Sequence, residues 1–272
     1  MSQAPSLTVR GMGRELAAIS QGSRSAELCA ALHAAWSRCI VPAVHSDVPD
    51  AGEIRLWLGG PGDEIPESLE RDGSELASND LATLISAGTQ AITHALIRAQ
   101  VGRLLMLHAG AVSHPVTGRT LVFVAGGGTG KTTLARTLGR RYGYVTDETV
   151  GIAADGRVLP YPKPLSLRTE AGRPKAETSP DDLGLLPAHP DPTVAQVVIL
   201  ARDPEASVPR LQELGLLDAI GALTPQSSSL YALPRGLHRC ADLIAATRPV
   251  VEVTYDEAES LFPLVEGWIG AA

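Results

Sequence analysis

The chain has 272 residues, 44% of them hydrophobic, and its 30 acidic residues outnumber 23 Lys and Arg to give a net charge of −7. A chain of this length and apolar content can bury a sizeable core, which excludes disorder over most of its length and allows one domain or two modest ones. The acidic balance, without a conspicuous Lys/Arg cluster, argues against nucleic acid or an anionic membrane surface as a partner.

The cysteines and the N-terminal residues bear on the cellular compartment. Cys29, Cys39 and Cys240 are odd in number and show no CxxC spacing, which argues against a disulfide framework and a structural zinc site. The first residues lack the apolar core of a signal peptide, and no run reaches the roughly 18 apolar residues of a membrane span. The sequence therefore predicts a soluble, cytoplasmic protein with reduced thiols.

The first hundred residues are predicted to contain two amphipathic helices and one short strand. Residues 25–40 (SAELCAALHAAWSRCI) place apolar side chains at helical spacing, and residues 54–58 (IRLWL) alternate as a strand does. The polar stretch 61–80 follows as a boundary or surface loop. Asp80 is then expected to cap a long helix over 81–100.

From residue 104 onward, apolar runs that end in glycines or polar pairs predict a sheet buried on both faces by helices. Between the later runs lies a polar region that is predicted to be helical, and the chain is expected to close with an amphipathic helix. A proline-rich stretch is predicted to be irregular. In chain order, the segments are the apolar runs 104–107, 120–125, 194–201 and 250–253, the helical region 210–247, the closing helix 256–269 and the irregular stretch 160–192.

A glycine-rich phosphate loop is the strongest signal in the chain. Residues 125–132 (AGGGTGKT) follow an apolar strand and precede a helix-forming segment, so backbone amides can surround phosphates at a helix N-terminus. Four glycines would be a costly way to build a plain turn, because glycine loses the most chain entropy on folding. Lys131 is predicted to reach the β and γ phosphates of ATP or another nucleoside triphosphate, and Thr132 to bind Mg²⁺. The predicted nucleotide-binding residues are Gly126, Gly127, Gly128, Thr129, Gly130, Lys131, Thr132 and Thr133.

An acidic pair and a histidine are expected at the same edge of the sheet as this loop. The short segment 144–146 ends in Asp147-Glu148, and a tight return before it would set this segment beside the loop strand. His108 ends an upstream apolar strand. A carboxylate near a hydroxyl can take its proton, and an imidazole can orient or tune that carboxylate. Taken singly, His108 also fits a hydrogen-bonded histidine at a strand end, and the acidic pair a solvated turn.

Four runs, LHAGAVS, AGGGTGKTTLA, YVTDE and YPKPLSLR, resemble the HPr kinase/phosphorylase superfamily and its small related kinases, whose nucleotide site is similar to that of phosphoenolpyruvate carboxykinases. The resemblance covers about residues 100 to 170. It implies that His108 assists Asp147 as the base for an accepting hydroxyl, with Lys131 on phosphate, Thr132 on magnesium and Glu148 near the metal. HPr kinases carry Asp-Asp at the position of Asp147-Glu148 and a Gly-Arg-Asn signature that this chain lacks, so HPr as substrate does not follow.

Together these features predict an α/β fold, in which a P-loop-containing, HPr-kinase-like core sheet flanked by helices occupies residues 80–272, and a smaller N-terminal α/β portion occupies residues 1–79. The predicted function is that of an ATP- and Mg²⁺-dependent kinase. Its acceptor would be the hydroxyl of a serine on a peptide or small protein, or of a small-molecule alcohol. Cations that would contact the substrate are Lys163, Arg168 and Arg202, and ordinary surface charges are the alternative interpretation of all three.

Two other functions are open at this point. One is a nucleotide-binding regulatory module that hydrolyses ATP slowly without a phosphoryl acceptor. The other is a carboxykinase-like lyase, which would need a second metal site and an arginine cluster that the sequence does not contain. Kinases of the resembling family are often oligomeric, so the resemblance also allows a homo-oligomer.

Overall fold

The computed structural model describes residues 4–42, 50–66, 74–126, 129–170 and 172–270. The chain divides into two compact units, the first formed by residues 1–100 and 163–182 and the second by residues 101–162 and 183–272. The boundary expected between residues 79 and 80 falls inside the first unit, because the helix that follows Asp80 packs on the N-terminal sheet. No helix among the described residues is long and apolar enough to cross a membrane.

Within the described ranges the strands are β1 (Ser6–Gly11), β2 (Arg14–Gln21), β3 (Ile40–Val41), β4 (Glu53–Leu58), β5 (Glu75–Ser78), β6 (Leu105–Leu107), β7 (Ala109–Ser113), β8 (Arg119–Val124), β9 (Gly143–Thr146), β10 (Val150–Ile152), β11 (Val158–Leu159), β12 (Leu165–Leu167), β13 (Ala176–Thr178), β14 (Leu186–Pro187), β15 (Thr193–Arg202), β16 (Arg210–Glu213), β17 (Ser227–Ser228) and β18 (Val251–Tyr255). The helices are α1 (Ser25–Ala35), α2 (Leu81–Gln100), α3 (Lys131–Leu138), α4 (Leu216–Leu223), α5 (Gly236–Ala246) and α6 (Phe262–Ile269), with short 3-10 helices at Thr224–Gln226, Leu230–Ala232 and Ala258–Leu261.

The first unit is built on a five-stranded sheet in the order β3-β1-β2-β4-β5. Strands β1 and β2 form a hairpin whose turn residues, Met12 and Gly13, both have positive φ angles, of 50° and 73°. Two left-handed residues suit the twist of a tight hairpin. This hairpin was not predictable from the sequence, because its turn has no Asn-Gly or Asp-Gly signal and the segment LAAIS lacks a strong strand preference.

The predicted strand and helices of the first unit are present with small shifts, whereas the stretch 61–80 that was predicted to be a loop contains β5, which pairs with β4. Strand β4 and helix α2 lie where they were expected. The carboxylate of Asp80 accepts a hydrogen bond of 2.8 Å from the backbone N–H of Thr83, which is the predicted helix cap. Helix α1 ends at Ala35, earlier than expected, because the chain turns there to add β3 to the edge of the sheet beside β1.

Residues 163–182 return to the first unit as an ordered hairpin. Strands β12 and β13 pair antiparallel there, with Ser166 opposite Glu177. The hydroxyl of Ser166 donates to both carboxylate oxygens of Glu177 at 2.8 and 2.9 Å. The irregular stretch predicted for residues 160–192 is therefore wrong for this part, because the pairing of β12 with β13 supplies regular structure between the prolines.

The second unit holds a seven-stranded sheet in the order β14-β9-β7-β8-β15-β18-β16 and a four-stranded sheet in the order β11-β10-β6-β17. Strands β8, β15 and β18 are parallel to one another, whereas β7 is antiparallel to both β8 and β9. The four predicted apolar runs form β6, β8, β15 and β18. Their inward side chains join one buried cluster, which includes Leu107, Val122, Val197 and Val250.

Two segments of the C-terminal part differ from the secondary structure that the sequence predicts. The region 210–247 contains helices α4 and α5, but it begins with β16, which pairs antiparallel with β18 at the sheet edge. All four residues of β16 are exposed, so no buried face marked this strand in the sequence. The expected closing helix is split into the 3-10 helix Ala258–Leu261 and helix α6. The chain is thus a mixed α/β protein.

Candidate active site

The predicted phosphate loop connects β8 to α3. Strand β8 ends at Val124, and α3 begins at Lys131. Gly130 precedes the helix with a φ angle of +93°, in the left-handed region that glycine adopts without strain. Its carbonyl accepts the first helical hydrogen bond, from the N–H of Leu134 at 2.9 Å. The sequence folds locally as the motif predicts because glycine permits the sharp turn from strand to helix.

The other predicted loop residues take different environments. The hydroxyl of Thr129 donates to the carbonyl of Gly126 at 2.7 Å, which closes the loop on itself. Thr132 is half-buried and Thr133 is exposed, both in the first turn of α3. Gly127 and Gly128 lie outside the described residues.

Lys131 is buried beneath the loop, with 7% of its surface exposed. Its Nζ donates to the carbonyls of Ala125 and Gly126 at 2.6 and 3.1 Å. Burial lowers the pKa of this ammonium group, and the negative charges of Asp147 and Glu148 oppose that change. The chain's own carbonyl oxygens therefore hold a buried cation that can exchange them for phosphate oxygens.

The chain passes from one sheet of the second unit to the other at two places. These two crossings bring His108 and Asp147 to the end of β8, the strand that precedes the loop. The chain passes from β6 to β7 through His108, and from β9 to β10 through residues 147–149, so both segments move from one sheet to the other. They run side by side, because β7 pairs with β9 and β6 pairs with β10. The Ala109 N–H donates to the carbonyl of Glu148 at 3.1 Å at the crossing, and Ala109 also lies opposite Val124, the last residue of β8.

His108 presents an exposed side chain from this crossing, while its backbone N–H donates to the carbonyl of Gln226 at 2.6 Å. The pKa of its imidazole lies below the usual value of 6.5, first because of partial desolvation and second because of the nearby positive charge of Lys131. Glu148 and Asp147 oppose this shift. The imidazole is therefore mostly neutral at pH 7 and can accept a hydrogen bond.

The electrostatic coupling of these two side chains leads to a prediction. In Lys131→Ala, the pKa of His108 is expected to rise, because one of the two causes that depress it is removed. Histidine proton and nitrogen chemical shifts, followed by NMR between pH 4.5 and 8.5 in both proteins, measure this value. Lys175→Ala, which removes an exposed lysine of the first unit, is the matched control and should leave the titration unchanged. A His108 titration that is identical in all three proteins would contradict the proximity of residues 108 and 131.

Asp147 is 5% exposed and accepts a hydrogen bond of 3.0 Å from the hydroxyl of Tyr144. Tyr144 is fully buried, so its phenol holds one carboxylate oxygen in a fixed direction. Glu148 beside it is half-buried, and its backbone N–H donates to the Thr146 hydroxyl at 3.4 Å. The role of Tyr144 as a partner of Asp147 was not predictable from the sequence, since a tyrosine three residues before an aspartate at a strand end gives no specific signal.

Tyr255 is a second tyrosine that the sequence did not single out. It ends β18 opposite Arg202, the last residue of β15, and is 3% exposed. A Cβ placed on Gly130 would lie 3.9 Å from the Tyr255 hydroxyl. Within the part of the chain that the structure describes, this hydroxyl makes no hydrogen bond. Burial raises the pKa of the phenol, against the opposing charge of Arg202.

The three predicted substrate cations fall in two different units. Arg202 lies in the second unit at the same sheet edge as the loop, half-exposed, with its Nη2 atom 3.5 Å from Oδ1 of Asp256. Lys163 and Arg168 belong to the first unit. Lys163 is buried and donates to the carbonyl of Pro164 at 2.9 Å, whereas Arg168 is exposed.

The donor groups near the loop are oxygen atoms. Among residues 4–42, 50–66, 74–126, 129–170 and 172–270, no cluster of three or more His, Cys, Asp or Glu side chains forms a metal site. The Thr132 hydroxyl and the carboxylates of Asp147 and Glu148 are hard ligands, which suit Mg²⁺ when phosphate oxygens complete its coordination. The three cysteines are free thiols.

The edge of the seven-stranded sheet thus combines a strand–loop–helix turn, a buried lysine, a carboxylate and a neutral imidazole on a mixed α/β scaffold. Among solved structures, the chain is similar to the Hpr(Ser) kinase/phosphatase from Coxiella burnetii, with 14% sequence identity and a TM-score of 0.29 over 60% of this chain and 87% of that one. No family model and no curated protein matches the chain. At so low a TM-score, the site assignments rest on the residues of this chain alone.

Proposed function

We propose that the second unit binds ATP with Mg²⁺ and transfers the γ-phosphoryl group to a hydroxyl acceptor, either a serine of a peptide or small protein or a small-molecule alcohol. One observation carries the proposal. The segments β6–β7 and β9–β10 run side by side as each passes between the two sheets. This arrangement sets His108 and Asp147 beside the end of β8, where the loop with Lys131 begins. A nucleotide-binding loop alone would not need a buried carboxylate and a neutral imidazole beside it.

Binding of the triphosphate would depend on the loop and the start of α3. Backbone N–H groups at a helix N-terminus carry partial positive charge and donate to phosphate oxygens. The Lys131 ammonium would leave the carbonyls of Ala125 and Gly126 to pair with the β and γ phosphates. Thr132 and Glu148 would hold Mg²⁺, which neutralises charge on the phosphates, and the Asp147 carboxylate would face the acceptor.

Asp147 would serve as the base for the acceptor. As the hydroxyl oxygen forms its bond to the γ phosphorus, the bond from that phosphorus to the β–γ bridging oxygen breaks and ADP leaves. The hydroxyl proton passes to Asp147. Tyr144 orients this carboxylate by its hydrogen bond, and His108, kept neutral near Lys131, would assist by accepting a hydrogen bond at the same edge. Most of the rate enhancement would come from positioning and charge neutralisation.

The test is whether ATP consumption depends on an acceptor. Purified protein with Mg²⁺ and ATP is incubated with serine-containing peptides or with small alcohols, and ADP and the phosphorylated product are quantified together. The proposal expects ADP and phosphorylated acceptor in equal amounts. Slow hydrolysis that no hydroxyl compound changes would instead favour the regulatory ATPase. Calorimetry that detects no uptake of Mg²⁺-ATP would end the proposal.

Tyr255 is expected to contribute to nucleotide affinity, because the residue is nearly buried and its hydroxyl lies beside Gly130. A hydrogen bond to a charged phosphate contributes about 1.5 kcal/mol or more, so Tyr255→Phe should weaken ATP binding about tenfold. Isothermal titration calorimetry measures this Kd. Tyr142→Phe is the matched control, since the Tyr142 hydroxyl donates to Glu266 at 2.8 Å, away from the loop. Equal ATP affinity in the Tyr255→Phe and wild-type proteins would exclude the contact.

A further inference from the structure

A cavity of about 630 Å³ opens in the second unit between the 3-10 helices Thr224–Gln226 and Leu230–Ala232 and the start of α5. Its lining is mainly apolar and hydroxylic, with Leu230, Leu233 and Leu237 among its walls. The hydroxyls of Thr224 and Ser227 already donate to helical carbonyls, at 2.7 and 2.9 Å. A volume of this size is sufficient for a ligand larger than a simple alcohol.

The wall of this cavity is continuous with the strand that carries His108. Strand β17 pairs with β6, so Ser227 lies opposite Leu107. One residue further along this antiparallel pair, Gln226 lies next to His108, and the His108 N–H donates a hydrogen bond to the Gln226 carbonyl. Since Thr224 and Ser227 line the cavity on either side of Gln226, the cavity wall reaches the backbone segment that pairs with His108.

Large apolar side chains around the cavity are open to solvent. Tyr231 is 94% exposed and Leu237 is 56% exposed. Helix α4, which packs against α5, carries two further exposed apolar side chains in its first turn, Leu216 and Leu217. Exposed apolar groups concentrated in one region are typical of binding surfaces. The exposed ring of Tyr231 and the side chain of Leu237 at the cavity suit an apolar side chain better than a small alcohol, which favours a peptide segment.

Charge indicates a second feature of the ligand. Arg235 is the only charged side chain that lines the cavity, and among the described residues it has no ion pair. It is the N-cap of α5, whose first turn has no acidic residue. The partial positive charge at a helix N-terminus repels a cation that lies there. A carboxylate bound at this place would therefore be stabilised by both the Arg235 guanidinium and the helix N-terminus. The left-handed φ angles of 55° at Ser229 and Arg235 are unfavourable for residues other than glycine, which is common where a binding site fixes the backbone.

We propose that this cavity binds the acceptor, and that the acceptor is a peptide segment. Its hydroxyl residue lies beside an apolar or aromatic side chain, which packs on Leu230 and Tyr231, and a carboxylate, which pairs with Arg235. This inference rests on the proposed function, because it assigns the acceptor of the same transfer reaction. The hydroxyl oxygen bonds to the γ phosphorus, ADP leaves with the bridging oxygen, and the proton goes to Asp147.

The experiment uses synthetic peptides that each contain one serine. The serine is flanked by Leu or Phe and followed by a free C-terminal carboxylate, and paired peptides carry an amide in place of the carboxylate or Ala in place of the apolar residue. Phosphorylation is measured by mass spectrometry with the full-length protein. The carboxylate peptide is expected to have a KM about tenfold or more below that of the amide peptide, with similar kcat.

Variants assign these preferences to the cavity. Arg235→Gln should raise the KM of the carboxylate peptide about tenfold and leave that of the amide peptide unchanged. The reason is that the substitution in the protein and the amide in the peptide each remove the ion pair between Arg235 and the carboxylate. Tyr231→Ala should reduce the preference for the apolar side chain in the same way. Arg140→Gln, which removes an exposed arginine of the same unit, is the matched control and should leave every KM unchanged. Unaltered ATP affinity in all variants separates acceptor binding from nucleotide binding.

Each other outcome overturns a defined part of the argument. If peptides are phosphorylated but Arg235→Gln and Tyr231→Ala leave KM unchanged, the cavity is not the acceptor site. If wild-type protein binds Mg²⁺-ATP and phosphorylates only small alcohols, or no peptide of the set, the peptide inference is wrong while nucleotide binding stands. If wild-type protein fails to bind Mg²⁺-ATP, the proposed function itself fails, and the inference fails with it.

Discussion

Lys131→Ala is expected to abolish phosphoryl transfer, with a loss of about 10³-fold or more in kcat/KM. The physical reason is that Lys131 is the buried cation beneath the loop, and its charge would stabilise the β and γ phosphates as the bond between them breaks. Steady-state kinetics give the loss of transfer, and calorimetry gives the accompanying loss of ATP affinity.

Folding must be separated from chemistry in this variant. Removing Lys131 leaves the carbonyls of Ala125 and Gly126 without the hydrogen bonds that its Nζ now donates, which costs about 1–3 kcal/mol if water does not replace them. Lys131→Arg keeps the charge and is the second variant, expected to remain folded but to transfer poorly because the guanidinium is larger and planar. Thermal unfolding reports the fold of both. Normal turnover by a folded Lys131→Ala protein would remove Lys131 from the site.

Asp147→Asn is expected to preserve nucleotide binding and to slow transfer by about 100-fold or more. The amide has nearly the shape of the carboxylate, so its oxygen can still accept the hydrogen bond from Tyr144, but it cannot take a proton from the acceptor. Single-turnover kinetics with saturating ATP and peptide measure the chemical step, and calorimetry measures ATP affinity separately.

Two companion variants make this prediction specific. Asp155→Asn changes an exposed aspartate that is ion-paired with Arg157, and it should transfer at the wild-type rate. Tyr144→Phe removes only the phenol that orients Asp147, so it should slow transfer less than Asp147→Asn does. If Asp147→Asn turned over normally, the base would have to be another group.

Local features of the site and fold followed from short stretches of sequence. The strand–loop–helix context of residues 119–138 needs only neighbouring residues, since an apolar run, glycines and a helix-forming segment each act over a few positions. The cap at Asp80 and the long helix α2 were predictable for the same reason. The edge position of His108 and Asp147 was expected from the order of strands, whereas their catalytic roles stay predictions.

Features that depend on distant residues were not predictable. Tyr144 and Asp147 are three residues apart, but the pairing of β9 with β7 and of β10 with β6 decides that the chain passes between two sheets at this point, where their side chains meet. Tyr255 lies near Gly130 because β18 aligns parallel to β15, which aligns to β8. No sequence spacing specifies such alignments.

The sequence by itself determined that a glycine-rich segment lies between a buried strand and a helix, because hydrophobic periodicity and glycine conformational freedom are local properties. Only the tertiary structure decided that residues 163–182 join the first unit and that Gln226 and the cavity residues around it lie beside His108. The reason is that these contacts join residues far apart in the chain, and their energy comes from pairing and burial that no short segment contains.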